Sequence, residues 1–217
     1  MLLPDLTMQP ACPRKCLRTT AAFTLIELLT VVAIIGILAA ITIPVTGSVR
    51  DKARTARCAG NVRELARATL LYTADHKDML PRLDFHWAED LWPYAGNGRI
   101  YVAFGGDELP EILKDTICEC PVAHRDTVTP KRSYAANLQI ASGAGATHVP
   151  LRTVTSPSAT VMFADAQGTS SLSVNALNPR HDKKFNASFF DGHVKLLPKT
   201  GADIMDTNYK STFWKSP

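Results

Sequence analysis

The chain has 217 residues, 46% of them apolar and 20% charged, with a formal charge of +4. That length suits one domain of ordinary size plus an anchor, with apolar residues enough for a sizeable core. The charge is too mild to argue for a nucleic-acid partner, and because residues 1–44 hold only Asp5, Arg14, Lys15, Arg18 and Glu27 as charged groups, the remainder is close to neutral.

Residues 1–22 carry Arg14, Lys15 and Arg18 and end in Thr19-Thr20-Ala21-Ala22; the apolar run FTLIELLTVVAIIGILAAITIPV, Phe23 to Val45, follows and is uncharged from Leu28 onward. As a helix this run is about 35 Å long at 1.5 Å per residue, enough to cross a hydrocarbon layer of about 30 Å. Three readings compete. A secretory signal would be cut after the apolar run, where Val45-Thr46-Gly47 offers a weak site. A signal anchor would not be cut at all. In the third reading the small residues and the cut precede the apolar run. Glu27 separates them, because a carboxylate near the start of a membrane helix is costly and a simple anchor has no use for it. If Phe23 becomes a new N-terminus, its amine lies one helical turn from Glu27. The acid then pairs with that amine or with a neighbour's, in surroundings that exclude water, and the helix dipole favours it there.

The stretch Ala22-Phe23-Thr24-Leu25-Ile26-Glu27-Leu28-Leu29 resembles the processing site of type IV prepilins and type II secretion pseudopilins. The resemblance implies cleavage between Ala22 and Phe23, N-methylation of Phe23 and a role in assembly for Glu27; Gly36 and Pro44 also match family positions. One departure is Ala22, since the family usually has Gly before the cut; alanine is small enough for the same pocket. Basic residues lie on both sides of the apolar run, with Arg50, Lys52, Arg54 and Arg57 after it, so charge counting does not set the orientation. The resemblance does: leader in the cytoplasm, a single pass through the inner membrane, body in the periplasm and, after assembly, in an extracytoplasmic filament. It implies as partners a prepilin peptidase/methyltransferase, other pilin or pseudopilin subunits, an inner-membrane assembly platform and the lipid bilayer.

Helical spacing continues from Thr46 to about Ala74, with an apolar stripe of Val49, Ala53, Ala56, Val62, Leu65, Ala66, Thr69 and Leu70 and arginines largely elsewhere. One long helix is expected, bent at Pro44. Its basic face reads as a solvated surface; without a groove-reading motif nucleic acid is not expected. After Asp75 the periodicity fades. Asp75, Asp78 and Asp84 lack the spacing of a calcium loop and read as a turn closing the helix. Trp87, Leu91, Trp92, Pro93 and Tyr94 form an apolar knot, and Tyr101-Val102-Ala103-Phe104 a strand. Cys118 to Asn137 is mostly loop, Ala141–Ala146 a connection, and Ala159–Ala164 a short strand. Asp191-Gly192 between Asn186–Phe190 and His193–Leu197 predicts a hairpin with a type I′ turn in an antiparallel sheet.

Three cysteines follow the leader: Cys58, Cys118 and Cys120. In an oxidising compartment Cys58 has two candidate disulfide partners, Cys118 or Cys120; the alternative is three buried thiols. Cys118 and Cys120 are too close to begin a zinc knuckle.

His181, nine intervening residues and Asp191-Gly192 resemble a C-terminal H-x9-D-G signature of a large group of prepilin-type proteins; Tyr72–Pro81, Cys120-Pro121, Ser133–Asn137 and Arg180-His181 resemble further segments of that group. His181, Asp191, His193 and Asp165 are the right residue types for a divalent ion. No hydrolase, metalloprotease or phosphate-loop motif accompanies them, so they read as structural: Asp191 makes the turn and His181 bonds to the hairpin backbone. No metal, cofactor or enzymatic activity is expected.

The expected fold is α+β and pilin-like, a long N-terminal helix (transmembrane, then amphipathic) packed on an antiparallel sheet. Its expected parts are a leader (1–22), a transmembrane assembly helix (23–45) and a globular domain (46–217) that includes the amphipathic half of the helix (46–74). The expected function is a structural filament subunit. The rival is a membrane-tethered binding or enzymatic domain on an uncut anchor.

Overall fold

The computed structural model describes residues 24–84, 86–95, 113–123, 132–140, 148–169 and 171–215, the side chains of residues 44 and 45 apart. The expected strand at Tyr101–Phe104, the connection at Ala141–Ala146 and the leader lie outside them.

Helix α1 runs Leu25–Asp75, and a short helix α2 runs Trp87–Ala95. Four strands follow: β1 Tyr134–Ala136, β2 Val161–Asp165, β3 Lys184–Phe189 and β4 Val194–Pro198. They form one antiparallel sheet in the order β1-β2-β3-β4. The fold is α+β, as the periodicities predict: an apolar N-terminal helical stretch, further helix, then an antiparallel sheet. Two compact units divide within α1, Met1–Gly47 and Ser48–Pro217.

In the first unit, Leu25–Ile43 is a helix long and apolar enough to cross a membrane, with a mean hydropathy of 2.6. Its large apolar side chains are exposed, from 49% at Val31 to 82% at Leu25. That area is not buried among the described residues. Pro44 lies inside α1 and does not end it.

In the second unit, α1 buries Cys58, Asn61, Val62, Leu65, Ala66, Ala68, Thr69, Tyr72 and Thr73. The expected stripe therefore holds from Val62 to Thr69, but Val49, Ala53 and Ala56 are exposed. Its first turns carry the right period and meet no packing partner among the described residues. The apolar knot at Trp87 is helix α2, with Trp87 and Leu91 one turn apart and both buried. Pro93 hides this helix from a reading by propensity, yet only two helical residues follow it. Arg82 fastens α2 through its guanidinium, with Nε 3.0 Å from Asp90 Oδ2 and Nη2 3.1 Å from Glu89 Oε2.

Strands β1 to β3 are buried on both faces, while β4 is partly exposed. Tyr134, Ala136, Met162 and Phe163 join α1 and α2 in one apolar cluster. Ala135, Val161, Ala164, Phe185, Ala187 and Phe189 join Phe213 and Trp214 in a second. A register shift between Val161 and Phe163 lets Met162 and Phe163 serve the same cluster despite adjacency. Asn137, fully buried, closes the second face: its amide donates to Val161 O at 2.8 Å and to Trp214 O at 2.7 Å.

The β3–β4 hairpin forms at Asp191-Gly192, but with a different turn. A type I′ turn needs positive φ at both central residues. Here only Gly192 of that pair is positive, at 88°. Gly192 N donates to Phe189 O at 2.9 Å and Phe189 N to His193 O at 3.0 Å, so three residues, Phe190 to Gly192, form the loop. This is the three-residue hairpin with glycine in the left-handed place.

Candidate functional site

Two places in the chain carry candidate function, and each is built from local chemistry. The first is the start of α1. Thr24 precedes the first helical residue, and its hydroxyl accepts from Glu27 N at 3.3 Å. Glu27 Oε2 in turn accepts from Thr24 N at 2.9 Å and from Thr24 Oγ1 at 2.8 Å. This is a reciprocal capping box, T-x-x-E, which satisfies helix-end donors that would otherwise be orphaned. The four-residue signal stands in the sequence as Thr24-Leu25-Ile26-Glu27, and the reading of Glu27 as an assembly residue overlooked it. Glu27 thus has a partner within its own chain. Ala22 and Phe23 lie outside the described residues.

Residues 17–43 match the prokaryotic N-terminal methylation motif. No curated protein and no solved structure matches the chain. The motif begins at residue 17, crosses Ala22-Phe23 and ends with the apolar helical stretch at Ile43. It gives the N-terminus a pilin- or pseudopilin-type character: a substrate of prepilin peptidase, anchored by a single pass and assembling with other subunits of that type. The body from Ser48 onward lies outside the motif, so its role rests on its own geometry.

The second place is a buried cluster in the body. Cys58 on α1 and Cys120 in the loop after Leu113 form a disulfide across 62 residues. Cys118 is a separate buried thiol; burial pushes it up to about 12, against weaker opposing effects of the Thr116 hydroxyl and Arg132. That keeps it a thiol rather than a reactive thiolate. His181 stands against the disulfide, with Nε2 3.6 Å from Cys120 Sγ. The same nitrogen is 3.3 Å from Asp165 Oδ2, both side chains being fully buried, and Nδ1 is 3.2 Å from Thr55 Oγ1. Asp165 Oδ2 also accepts from Asn186 N at 2.6 Å and Asn186 Nδ2 at 3.0 Å, while its Oδ1 has no hydrogen-bond partner among the described residues. Burial lowers the pKa of Arg180, with Asp165 and Tyr134 pulling the other way; burial first, then the charge of Asp165, raises Tyr134 well above the usual phenol.

The ring of His181 therefore reaches α1 and β2, where the sequence led us to expect the hairpin backbone. Its main chain meets β3, exchanging bonds with Lys184 at 3.0 Å in both directions. His181 and Asp191 flank opposite ends of β3, about 20 Å of strand. Asp191 pairs instead with His193, Oδ1 accepting from the backbone N at 3.1 Å and lying 2.5 Å from Nδ1. Partial burial pushes the Asp191 carboxyl up, but the bonds from His193 outweigh it and hold the group below the usual carboxylate range. The four residues of the H-x9-D-G region are thus two separate pairs, His181 with Asp165 and Asp191 with His193. Cys58, Cys120 and Thr55 complete the first pair, and no spacing rule links residues so far apart.

Proposed function

We propose that the protein is a structural subunit, a pilin or pseudopilin, of a type IV pilus-like filament or a type II secretion pseudopilus. Prepilin peptidase cuts it between Ala22 and Phe23 and methylates Phe23. The anchor spans the inner membrane with the leader cytoplasmic and the body periplasmic, and the assembly platform draws it into a filament. The observation that carries this reading is the methylation motif over an apolar helical stretch whose single acid, Glu27, stands in the first turn.

The exposed apolar side chains of Leu25–Ile43 suit lipid before assembly and neighbouring helices after it. Cleavage frees an amine at Phe23, one turn from Glu27, and the carboxylate of one subunit then neutralises the amine of the next. In a packed, water-poor bundle this contact is stronger than at a surface and sets axial register. The Cys58–Cys120 bond suits an oxidising compartment. His181, Asp191 and Gly192 hold the body together: His181 ties α1 to β2, and Asp191-Gly192 shapes the hairpin.

Because Glu27 also caps its own helix, Glu27→Ala removes two functions at once. Glu27→Gln keeps the capping box, which accepts Glu or Gln, and removes only the charge. We expect Glu27→Gln to be cleaved and to keep its helix but to lower filament yield about tenfold or more, as losing about 1.4 kcal/mol per subunit contact would. Normal filament yield from Glu27→Gln would reduce Glu27 to a helix cap and overturn the registry role.

A further inference from the structure

The buried Cys58, Cys120, His181 and Asp165 come from four separate segments: α1, the loop after Leu113, the approach to β3 and the end of β2. The ligand atoms of Cys58, Cys120 and His181 all lie within 4.8 Å of one another. A tetrahedral zinc ion with Zn–S near 2.3 Å and Zn–N and Zn–O near 2.0–2.1 Å sets sulfur and nitrogen about 3.6 Å apart, and nitrogen and oxygen about 3.3 Å apart. His181 Nε2 is 3.6 Å from Cys120 Sγ and 3.3 Å from Asp165 Oδ2. The sulfur–nitrogen edge already has the length of a shared ion, whereas Asp165 meets the ring alone and is not one of the three residues whose ligand atoms lie together. The outer contacts fit as well. Thr55 Oγ1 donates to Asp51 O at 3.0 Å, which leaves its oxygen to accept from His181 Nδ1–H and frees Nε2 to ligate. A hydroxyl or carbonyl on the far nitrogen is the usual support of a metal-bound histidine. Asn186 orients the Asp165 carboxylate, whose Oδ1 has no partner among the described residues.

From this geometry we propose that the disulfide is one of two states of the site and that the reduced protein binds one zinc(II) ion through Cys58, Cys120 and His181, with water completing the tetrahedron. A dithiol donor supplies two electrons and two protons and becomes a disulfide; Cys58 and Cys120 become thiols. Zinc then displaces both thiol protons to solvent, and the sulfurs settle about 3.8 Å apart on the ion. Two thiolates cancel the charge of zinc, and Asp165 keeps Arg180 as its counter-charge, so the buried site gains no net charge. A cleft of about 780 Å³, lined by Lys52, Thr55, Ala59, His181 and Asn186 among others, gives the ion a way in. Disulfide and metal exclude each other, since the same sulfurs make both. The inference does not depend on the filament reading.

The test uses the full chain in detergent, with Cys12, Cys16 and Cys118 replaced by Ser so that only the paired sulfurs remain. The protein is reduced with a phosphine, which takes oxygen from water to become its oxide, and the phosphine is removed. Zinc is titrated against a chromophoric chelator, and cobalt(II) is followed by its thiolate charge-transfer absorption. One ion per reduced chain, none on the oxidised chain, a thermal midpoint raised by zinc in the reduced protein alone, and at least tenfold weaker binding in His181→Ala are the expected results. The proposal is overturned if the reduced chain takes up no stoichiometric metal, if it unfolds and zinc does not restore it, or if His181→Ala and His181→Gln bind as tightly as the parent.

Discussion

Gly192 shows how a single residue can be legible for the right reason and the wrong geometry. Asp191-Gly192 marks the hairpin from the sequence, because positive φ is cheap only for glycine there. The requirement falls on Gly192 alone, at φ 88°, and a Cβ at that position would stand 3.3 Å from Leu70 Cδ1 on α1. That methyl end can yield by a few tenths of an ångström, so backbone strain dominates. Gly192→Ala should destabilise the protein by about 1–2 kcal/mol, the usual cost of left-handed backbone for a residue with a Cβ, and lower its urea midpoint at unchanged slope. An unchanged midpoint would mean that the loop relaxes to another turn. Glu27 is the converse case. Its position relative to the apolar run is plain in the sequence, and its bonds to Thr24 follow a four-residue rule. His181 stands out in the sequence, yet its ring partners Thr55 and Cys120 lie 126 and 61 residues away, beyond any local pattern.

At the scale of elements, long periodic segments were readable and short ones were not. The period of α1 shows its helix from end to end, but periodicity reports a face and not whether anything covers it, and Val49 through Ala56 illustrate the difference. Strand β1 is Tyr-Ala-Ala, three residues of which the two alanines have little strand propensity; pairing with Asp165, Ala164 and Phe163 of β2 makes it a strand. Helix α2 is obscured by Pro93 and is made by burying Trp87 and Leu91. The choice between Cys118 and Cys120 as partner of Cys58 was open because their spacing is nearly the same, and three-dimensional placement decides it. Closing a loop of 62 residues, the Cys58–Cys120 bond should stabilise the body by about 4 kcal/mol through the unfolded chain. Replacing both residues by Ser is expected to lower the urea midpoint accordingly in the absence of added metal. A double variant as stable as the parent would show that α1 and the Cys120 loop hold their places without the bond.

For the molecule as a whole, the division at Gly47–Ser48 separates two kinds of surface. The N-terminal unit presents a bare apolar helix, whereas the body buries strands β1 to β3 on both faces, with Phe213 and Trp214 sealing the second. One face of that arrangement was foreseeable from the amphipathic half of α1. The other depends on a C-terminal segment whose sequence has no strand or helix period. The proposed filament calls for this division: a body that satisfies its own core and an apolar helix free to pack against other subunits. That account needs a free amine beside Glu27, and only cleavage at Ala22–Phe23 supplies it. The most direct measurement is the intact mass and N-terminal sequence of the native protein isolated from its membrane. The account predicts a chain that starts at N-methylated Phe23 and retains Glu27 and the whole apolar stretch. A chain that still carries Arg14, Lys15 and Arg18, or one that begins beyond Val45, would contradict it.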